Sequence, residues 1–107
     1  MKDGCLFCKI ASGKLDTKLE KETDNLVVFK DVDPQAAVHL LLVPKKHVKG
    51  LSEVDDVLLK EIRDVAVGIS RARSLPGYRL VYNSGDASMI PHLHIHFLGD
   101  ISSDRAV

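Results

Sequence analysis

Apolar and polar residues follow distinct rhythms along this chain, and each rhythm predicts an element. Apolar and small residues mix from Cys5 to Ala11 before Ser12-Gly13-Lys14, which predicts a short helix stopped by Gly13. Lys18 to Glu22 is charged and predicts an exposed edge strand, because charge on an edge discourages pairing with other chains. Asn25 marks a turn, and Leu26-Val27-Val28-Phe29 predicts a buried strand that leaves through Asp31-Val32-Asp33-Pro34. Val38-His39-Leu40-Leu41-Leu42-Val43 predicts the strongest strand, apolar on both sides and ended by Pro44. Ser52-Glu53-Val54-Asp55 has the form of a capping box. Beyond it Val54, Leu58, Ile62, Val65, Ile69 and Ala72 recur three or four residues apart, predicting a helix from about Val54 to Arg73 with one face on a sheet. Asp56, Lys60, Arg63 and Arg71 fall on the opposite face. Val57, Leu59, Ala66 and Val67 widen the apolar coverage past one stripe, a surplus either covered by a dimer partner or merely exposed.

After Pro76-Gly77, Tyr78 to Tyr82 alternates as a further strand, and Asn83 to Ser88 forms a loop entering His92-Leu93-His94-Ile95-His96-Phe97-Leu98. In that last stretch imidazoles and large apolar groups alternate strictly. Period two is the mark of a strand, with one face of histidines and one of hydrocarbon. Pro91 is tolerable at the first position of such a strand, and the polar tail after Asp100 is expected to be loose. Hairpin-compatible connections, with helices set apart from the strands, predict an α+β layer fold on an antiparallel sheet.

Composition narrows the function more than the fold. A chain of 107 residues is expected to form one domain over 1–107. Fifteen basic residues balance fifteen acidic ones, so nothing points to a nucleic-acid or membrane surface. No apolar run approaches the roughly 20 residues that span a bilayer, and Met1-Lys2-Asp3-Gly4 does not begin a signal peptide. A cytoplasmic protein is the expectation, and there Cys5 and Cys8 are metal ligands or free thiols rather than a disulfide. Two thiols leave a zinc ion two ligands short, and histidines are at hand.

Three of the five histidines lie in the alternating stretch. Same-face neighbours on a strand stand about 7 Å apart, so the three span about 13 Å, too far for one metal without a bend. A row along a cleft suits them better. Solvated strand faces are ordinarily filled by Thr or charged residues, so a histidine face asks for a chemical reason. His39, alone in an apolar run, is either a hydrogen-bonded core histidine or part of a site shared with the neighbouring strand. Neutral imidazole is a nucleophile near pH 7 and a passable leaving group, so it can split a substitution at phosphorus into two steps. A second imidazole can donate a proton to the departing group, and a third can fix the tautomer. The Gly-containing loop Asn83–Ser88 offers backbone N–H groups to phosphate oxygens. His94, flanked on both sides, is the candidate nucleophile. A different class of function fits the same residues: a module in which the alternating histidines and the Cys5-x-x-Cys8 pair hold a transition metal for its own sake.

His92-Leu93-His94-Ile95-His96-Phe97-Leu98 resembles the His-φ-His-φ-His-φ-φ signature of the histidine triad (HIT) superfamily. Phe29-x-Asp31-Val32-x-Pro34, followed by His39-Leu-Leu-Leu-Val-Pro44-Lys-Lys-His47, resembles its other hallmark segment, and Cys5-Leu-Phe-Cys8-Lys-Ile10 the start of its bacterial members. The likeness runs from about Cys5 to Gly99 and is greatest to the purine nucleoside phosphoramidase branch, related to the histidine triad nucleotide-binding proteins.

The resemblance implies a homodimer, a five-stranded antiparallel sheet in each subunit, and hydrolysis of nucleoside 5′-monophosphates linked to an amine or a second phosphate. It implies that His94 attacks the α-phosphorus to form a nucleotidyl-imidazole, that His96 touches the phosphate and assists proton transfer, and that His39 and His92 belong to the imidazole relay. Asp31 would accept hydrogen bonds from ribose hydroxyls, which suits an acceptor-only carboxylate. Phe7, Ile10, Phe29 and Val32 would line a purine (AMP-type) base pocket, unless they are plain core. Asn83 and Ser88 would lie near the ribose and phosphate. Cys5, Cys8, His47 and His92 would hold one structural zinc per subunit, a second assignment for His92. One departure stands out. Where relatives often carry Gly-Gln-Ser/Thr, this chain has Ala87-Ser88-Met89, in a loop about two residues short. That leaves open a nucleotide-binding interaction protein whose turnover is vestigial.

Overall fold

The computed structural model describes residues 4–106. The segment read for a signal peptide therefore lies almost wholly outside the described residues. In chain order the elements are α1 (Leu6–Ala11), β1 (Lys21–Glu22), β2 (Leu26–Lys30), β3 (Val38–Pro44), α2 (Asp56–Ala72), β4 (Tyr78–Tyr82) and β5 (Ile95–Gly99), with 3-10 turns at Leu51–Glu53 and Gly85–Ala87. The five strands form one sheet in the order β1-β2-β3-β5-β4, antiparallel throughout. This is the predicted α+β fold: a five-stranded antiparallel sheet, a short amino-terminal helix and one long helix.

Alternation along the strands builds two separate interiors. Leu26, Val28, Leu40, Leu42, Ile95 and Phe97 point to the face covered by α2, where Ile62, Val65, Ala66 and Ile69 meet them. Val27, Phe29, Leu41 and Val43 point the other way and pack with Phe7 and Ile10 of α1. His39 and His96 belong to this second face.

Helix boundaries depart from the sequence reading in instructive ways. The capping residue of α2 is Asp55, whose Oδ1 accepts from Leu58 N at 2.8 Å, so the helix begins at Asp56 rather than Val54. Ser52 and Glu53 lie instead in the preceding 3-10 turn, where Glu53 Oε1 accepts from Lys49 N at 2.7 Å. Ala66 is core and Ala72 is exposed, the reverse of their expected places; Val57, 71% exposed, and Leu59 are the surplus apolar residues that stay uncovered. At the start of the chain, Cys5 caps α1 through its Sγ, and Gly13 takes a φ of +81° just past the end. The charged edge strand is only two residues long. Its turn is clamped to α2 by Glu61, which accepts from Thr23 Oγ1, Asn25 N and Asn25 Nδ2 at 2.6, 2.9 and 2.8 Å. The tail is held rather than loose. Arg79 donates to the carbonyls of Arg105 and Ala106, both at 3.2 Å. Among the described residues no helix is long and apolar enough to cross a membrane.

Candidate active site and metal centre

β3 and β5 pair with Leu41 opposite His96 and His39 opposite Leu98, which makes His39 and His96 diagonal neighbours on one face. Their rings meet: His39 Nε2 lies 2.9 Å from His96 Nδ1. Asp31, at the exit of β2, puts Oδ2 at 3.4 Å from the same His39 nitrogen and 3.8 Å from His96 Nδ1. On the far side of the His39 ring, the backbone N–H of Gln35 donates to Nδ1 at 2.9 Å. Burial pushes His96 below the ordinary imidazole value, and charge on His94 or His39 would push it further; the Asp31 carboxylate opposes both.

The predicted strand over His92–Leu98 is shorter than its alternation promised, because ladder pairing with β3 and β4 begins at Ile95. His92 and His94 lie on the chain ahead of it. There the β3 chain has turned away after Pro44, and the Leu93 N–H goes to Val48 O at 2.7 Å instead of to a ladder partner. The alternation itself survives, for Leu93 still joins Ile95 and Phe97 in the α2-side core. His94 is buried, and its Nδ1 lies 2.8 Å from the His92 carbonyl oxygen. A carbonyl only accepts, so Nδ1 carries the hydrogen and Nε2 keeps its lone pair. Phe7 packs edge-on to this ring at 5.0 Å between centroids, with His96 on another side at 5.2 Å.

The His92 side chain turns away from that group. Wholly buried, it places Nε2 2.8 Å from Pro44 O and directs Nδ1 at two thiols, 3.3 Å from Cys5 Sγ and 3.5 Å from Cys8 Sγ. His47 Nδ1 is 3.2 Å from Cys8 Sγ, and the four ligand atoms lie within 4.8 Å of one another. Zinc–sulfur bonds of about 2.3 Å and zinc–nitrogen bonds of about 2.0 Å set tetrahedral S···N edges near 3.5 Å, so the set matches the ion's size and ligand preference. The Pro44 carbonyl holds the hydrogen on Nε2 and leaves Nδ1 free to ligate, the usual device for orienting a metal-bound imidazole. Burial lowers the His92 pKa, with charge on His47 or His94 adding to the effect and the Pro44 carbonyl opposing it.

The residues expected around a nucleotide are brought together only in part. Phe7, Ile10 and Phe29 share one buried cluster, with Phe7 and Phe29 edge-to-face at 5.8 Å. Val32 lies outside that buried cluster and is 101% exposed. The reason is local: it sits at the tip of the turn that Asp31 Oδ1 organises by accepting from Asp33 N at 2.9 Å. Asn83 is half-buried at the mouth of the loop. Ser88 gives its hydroxyl hydrogen to Ile90 O at 2.9 Å, and Met89 stands 97% exposed. A surface concavity of about 660 Å³ is lined by Ala36, Ala37, Pro76, Gly77, Asp100 and Ile101 and their neighbours in the tail, without any of the histidines. Chemistry rather than volume marks the site. Sequence reasoning missed two participants, the Gln35 amide and the Pro44 carbonyl; backbone groups carry no signature in residue type.

Comparison with known proteins agrees with this fold. The family model described as "Scavenger mRNA decapping enzyme C-term binding" matches residues 4–106. An uncharacterized HIT-like protein of Chlamydia trachomatis is 38% identical over 100 residues, covering 88% of this chain and 90% of its own. A HIT family hydrolase from Legionella pneumophila superposes with a TM-score of 0.85 at 39% identity, over 92% of this chain and 95% of its own. A Zn-bound histidine triad family protein from Mycobacterium smegmatis does so at 0.84 and 26% identity, over 97% and 80% of the two chains. On sequence and fold alike, this chain belongs to the histidine triad superfamily.

Proposed function

We propose that this protein hydrolyses nucleoside 5′-monophosphate derivatives, phosphoramidates such as AMP-amines among them, through a nucleotide carried on His94. The observation that carries the reading is the hydrogen bond from His94 Nδ1 to the His92 carbonyl, which leaves Nε2 with a lone pair beside Phe7 and His96. That lone pair forms a bond to the α-phosphorus as the bond to the amine or oxygen leaving group breaks. The leaving group departs with the electron pair and takes a proton from solvent. Water then attacks the phosphorus, its oxygen staying there and its proton going to solvent, while the imidazole recovers its pair. His96 contacts the phosphate, His39 orients His96, and Asp31 accepts from the ribose hydroxyls. Phe7, Ile10, Phe29 and Val32 border a purine, with Asn83 and Ser88 towards the ribose and phosphate.

Cys5, Cys8, His47 and His92 hold one structural zinc, which ties α1 to the sheet and leaves the chemistry to the imidazoles. This reading rests on the matched distances and the Pro44 carbonyl behind His92. We take residues 1–107 as one HIT domain of a cytoplasmic homodimer. β4 lies at the sheet edge with Tyr78 and Leu80 exposed, a surface that a second copy would cover.

Incubation with an adenosine phosphoramidate, quenching and mass spectrometry should find an AMP adduct on His94, and His94→Ala should lose both adduct and turnover by three orders of magnitude or so. An unimpaired variant would remove the mechanism. One observation favours a second reading, a nucleotide-binding interaction protein with vestigial catalysis: the Ser88 hydroxyl hydrogen is already used within its own loop, and Met89 brings no donor. Tight AMP binding with no adduct would select it.

A further inference from the structure

Among the described residues two clusters have the make-up of metal sites, Cys5–Cys8–His47–His92 and Asp31–His39–His96. What lies behind each histidine separates them. Behind His92 stands a carbonyl, which fixes the hydrogen on the far nitrogen and frees the near one for a ligand. Behind His39 stands the N–H of Gln35, 2.9 Å from Nδ1, and an N–H can only donate. His39 Nδ1 must therefore be bare, which puts the ring's one hydrogen on Nε2. That hydrogen points at His96 Nδ1 across 2.9 Å, so His96 Nδ1 must be bare as well, and His96 carries its hydrogen on Nε2.

We propose that the Gln35 backbone N–H makes His39 and His96 a one-way, uncharged hydrogen-bond wire, which presents His96 Nε2–H as a neutral donor to the transferring phosphate and closes the Asp31–His39–His96 cluster to metal. The inference rests on the phosphate-transfer reading above and specifies the part His96 plays in it. His96 stabilises charge on a phosphate oxygen rather than acting as an imidazolium acid. Charging His39 would set an Nδ1–H against the Gln35 N–H with no acceptor between them. Charging His96 would set its Nδ1–H against the His39 Nε2–H. A metal on His39 Nε2 would force the hydrogen to Nδ1 and meet the same conflict. The titratable groups facing the pair are Asp31, at 3.4 and 3.8 Å, and His94, whose ring is 5.2 Å from that of His96. Asp31 alone favours a charged pair. It is opposed by the amide, by His94 and by the burial that already lowers His96. Gln35 is thus a positioning residue acting through its main chain, held in its turn by the Gln35 side-chain hydrogen bond to Asp33 O at 3.2 Å.

The test is the ¹⁵N spectrum of the zinc-loaded full chain at neutral pH. Expected are a bare, pyridine-like Nδ1 and a protonated Nε2 in both His39 and His96; an imidazolium signal, or Nδ1–H on either ring, would overturn the proposal. Gln35→Pro removes the donor. It should let His39 populate the other tautomer and lower kcat on the order of 10- to 100-fold with KM little changed; an unaltered tautomer in a folded Gln35→Pro would equally overturn it. If that variant does not fold, the wild-type spectrum decides alone. Zn²⁺ added past one equivalent should leave the His39 and His96 signals in place, and their displacement by a second ion would refute the closure to metal. The readouts separate the two readings. A protein with this tautomer pattern and no turnover sinks only the functional reading, whereas an active protein with a charged His96 sinks only this one.

Discussion

With the proposed zinc on Cys5, Cys8, His47 and His92, chelation should release α1 while leaving the sheet intact. The helix is six residues long, far short of what stands alone in water. Ordering six residues costs about 1–2 kcal/mol each, roughly 6–12 in all. Against this, burial of Phe7 and Ile10 contributes about 1.5–3 kcal/mol apiece. Hydrogen bonds from Lys9 N to Cys5 O, Ser12 N to Cys8 O and Gly13 N to Ile10 O add about 1 kcal/mol each. The two sides meet to within a few kcal/mol, so α1 sits at balance before any ion is counted. A structural zinc in small domains supplies on the order of 10 kcal/mol, more than enough to decide the outcome. Amide hydrogen exchange of the full chain is the assay, with and without a chelator. The Lys9 and Ser12 amides should lose protection on metal removal while those of β3 and β5 keep it. Because Phe7 of α1 packs on His94, turnover should fall with the same chelator dependence. Demonstrably metal-free protein that retains α1 protection and full activity would refute the reasoning.

Three further outcomes are expected. Gly99→Ala would set a Cβ at 2.9 Å from Leu75 Cδ1 and 3.0 Å from Val38 Cβ, and should destabilise by about 1–3 kcal/mol in urea unfolding. Glu61→Gln keeps the shape of the β1–β2 clamp but loses its charge; exposure to solvent limits the loss to about 1 kcal/mol, read as a lower urea midpoint. Metal-free protein should lose stability in mild acid. His92 and His96 bind protons more weakly folded than unfolded, so their contribution is complete above the ordinary imidazole value of 6.5 and declines as pH falls from there towards their lowered folded values. A flat stability profile over that window would contradict the burial ascribed to them.

Most of the fold was legible because the strand alternation and the helical spacing are both enforced by burial. Leu93, Ile95 and Phe97 were assigned to one face from the sequence, and all three lie in the α2-side core. The helix start was misjudged because Ser52 and Asp55 are both good caps, and only the turn at Leu51–Glu53 decides between them. Within the site, residue types were legible and orientations were not. His92 shares a strand-like face with His94 by pattern, yet rotates its ring to the thiols because the chain there is free of the ladder. The polar tail looked loose since nothing in its own residues ties it down; Arg79, far away in sequence, does so.

The position of His94, the proposed nucleophile, follows from hydrocarbon more than from its own hydrogen bond. Side chains on β5 alternate, so a slip of one residue against β3 would carry Ile95 and Phe97 out of the α2-side core and drive the imidazoles into it. Together with Leu93, those two residues bury three large apolar groups, about 1.5–3 kcal/mol each, so a slip would cost about 5–9 kcal/mol before any charge effect. A single hydrogen bond such as that from His94 Nδ1 contributes about 1 kcal/mol net and could not hold the register by itself. The core therefore sets where the imidazoles stand, and the carbonyl of His92, the carbonyl of Pro44 and the amide of Gln35 set which nitrogen each one presents. Substitutions in the α2-side core should in consequence disturb catalysis only when they shift the register, whereas changes to those three backbone partners should disturb it with the fold unaltered.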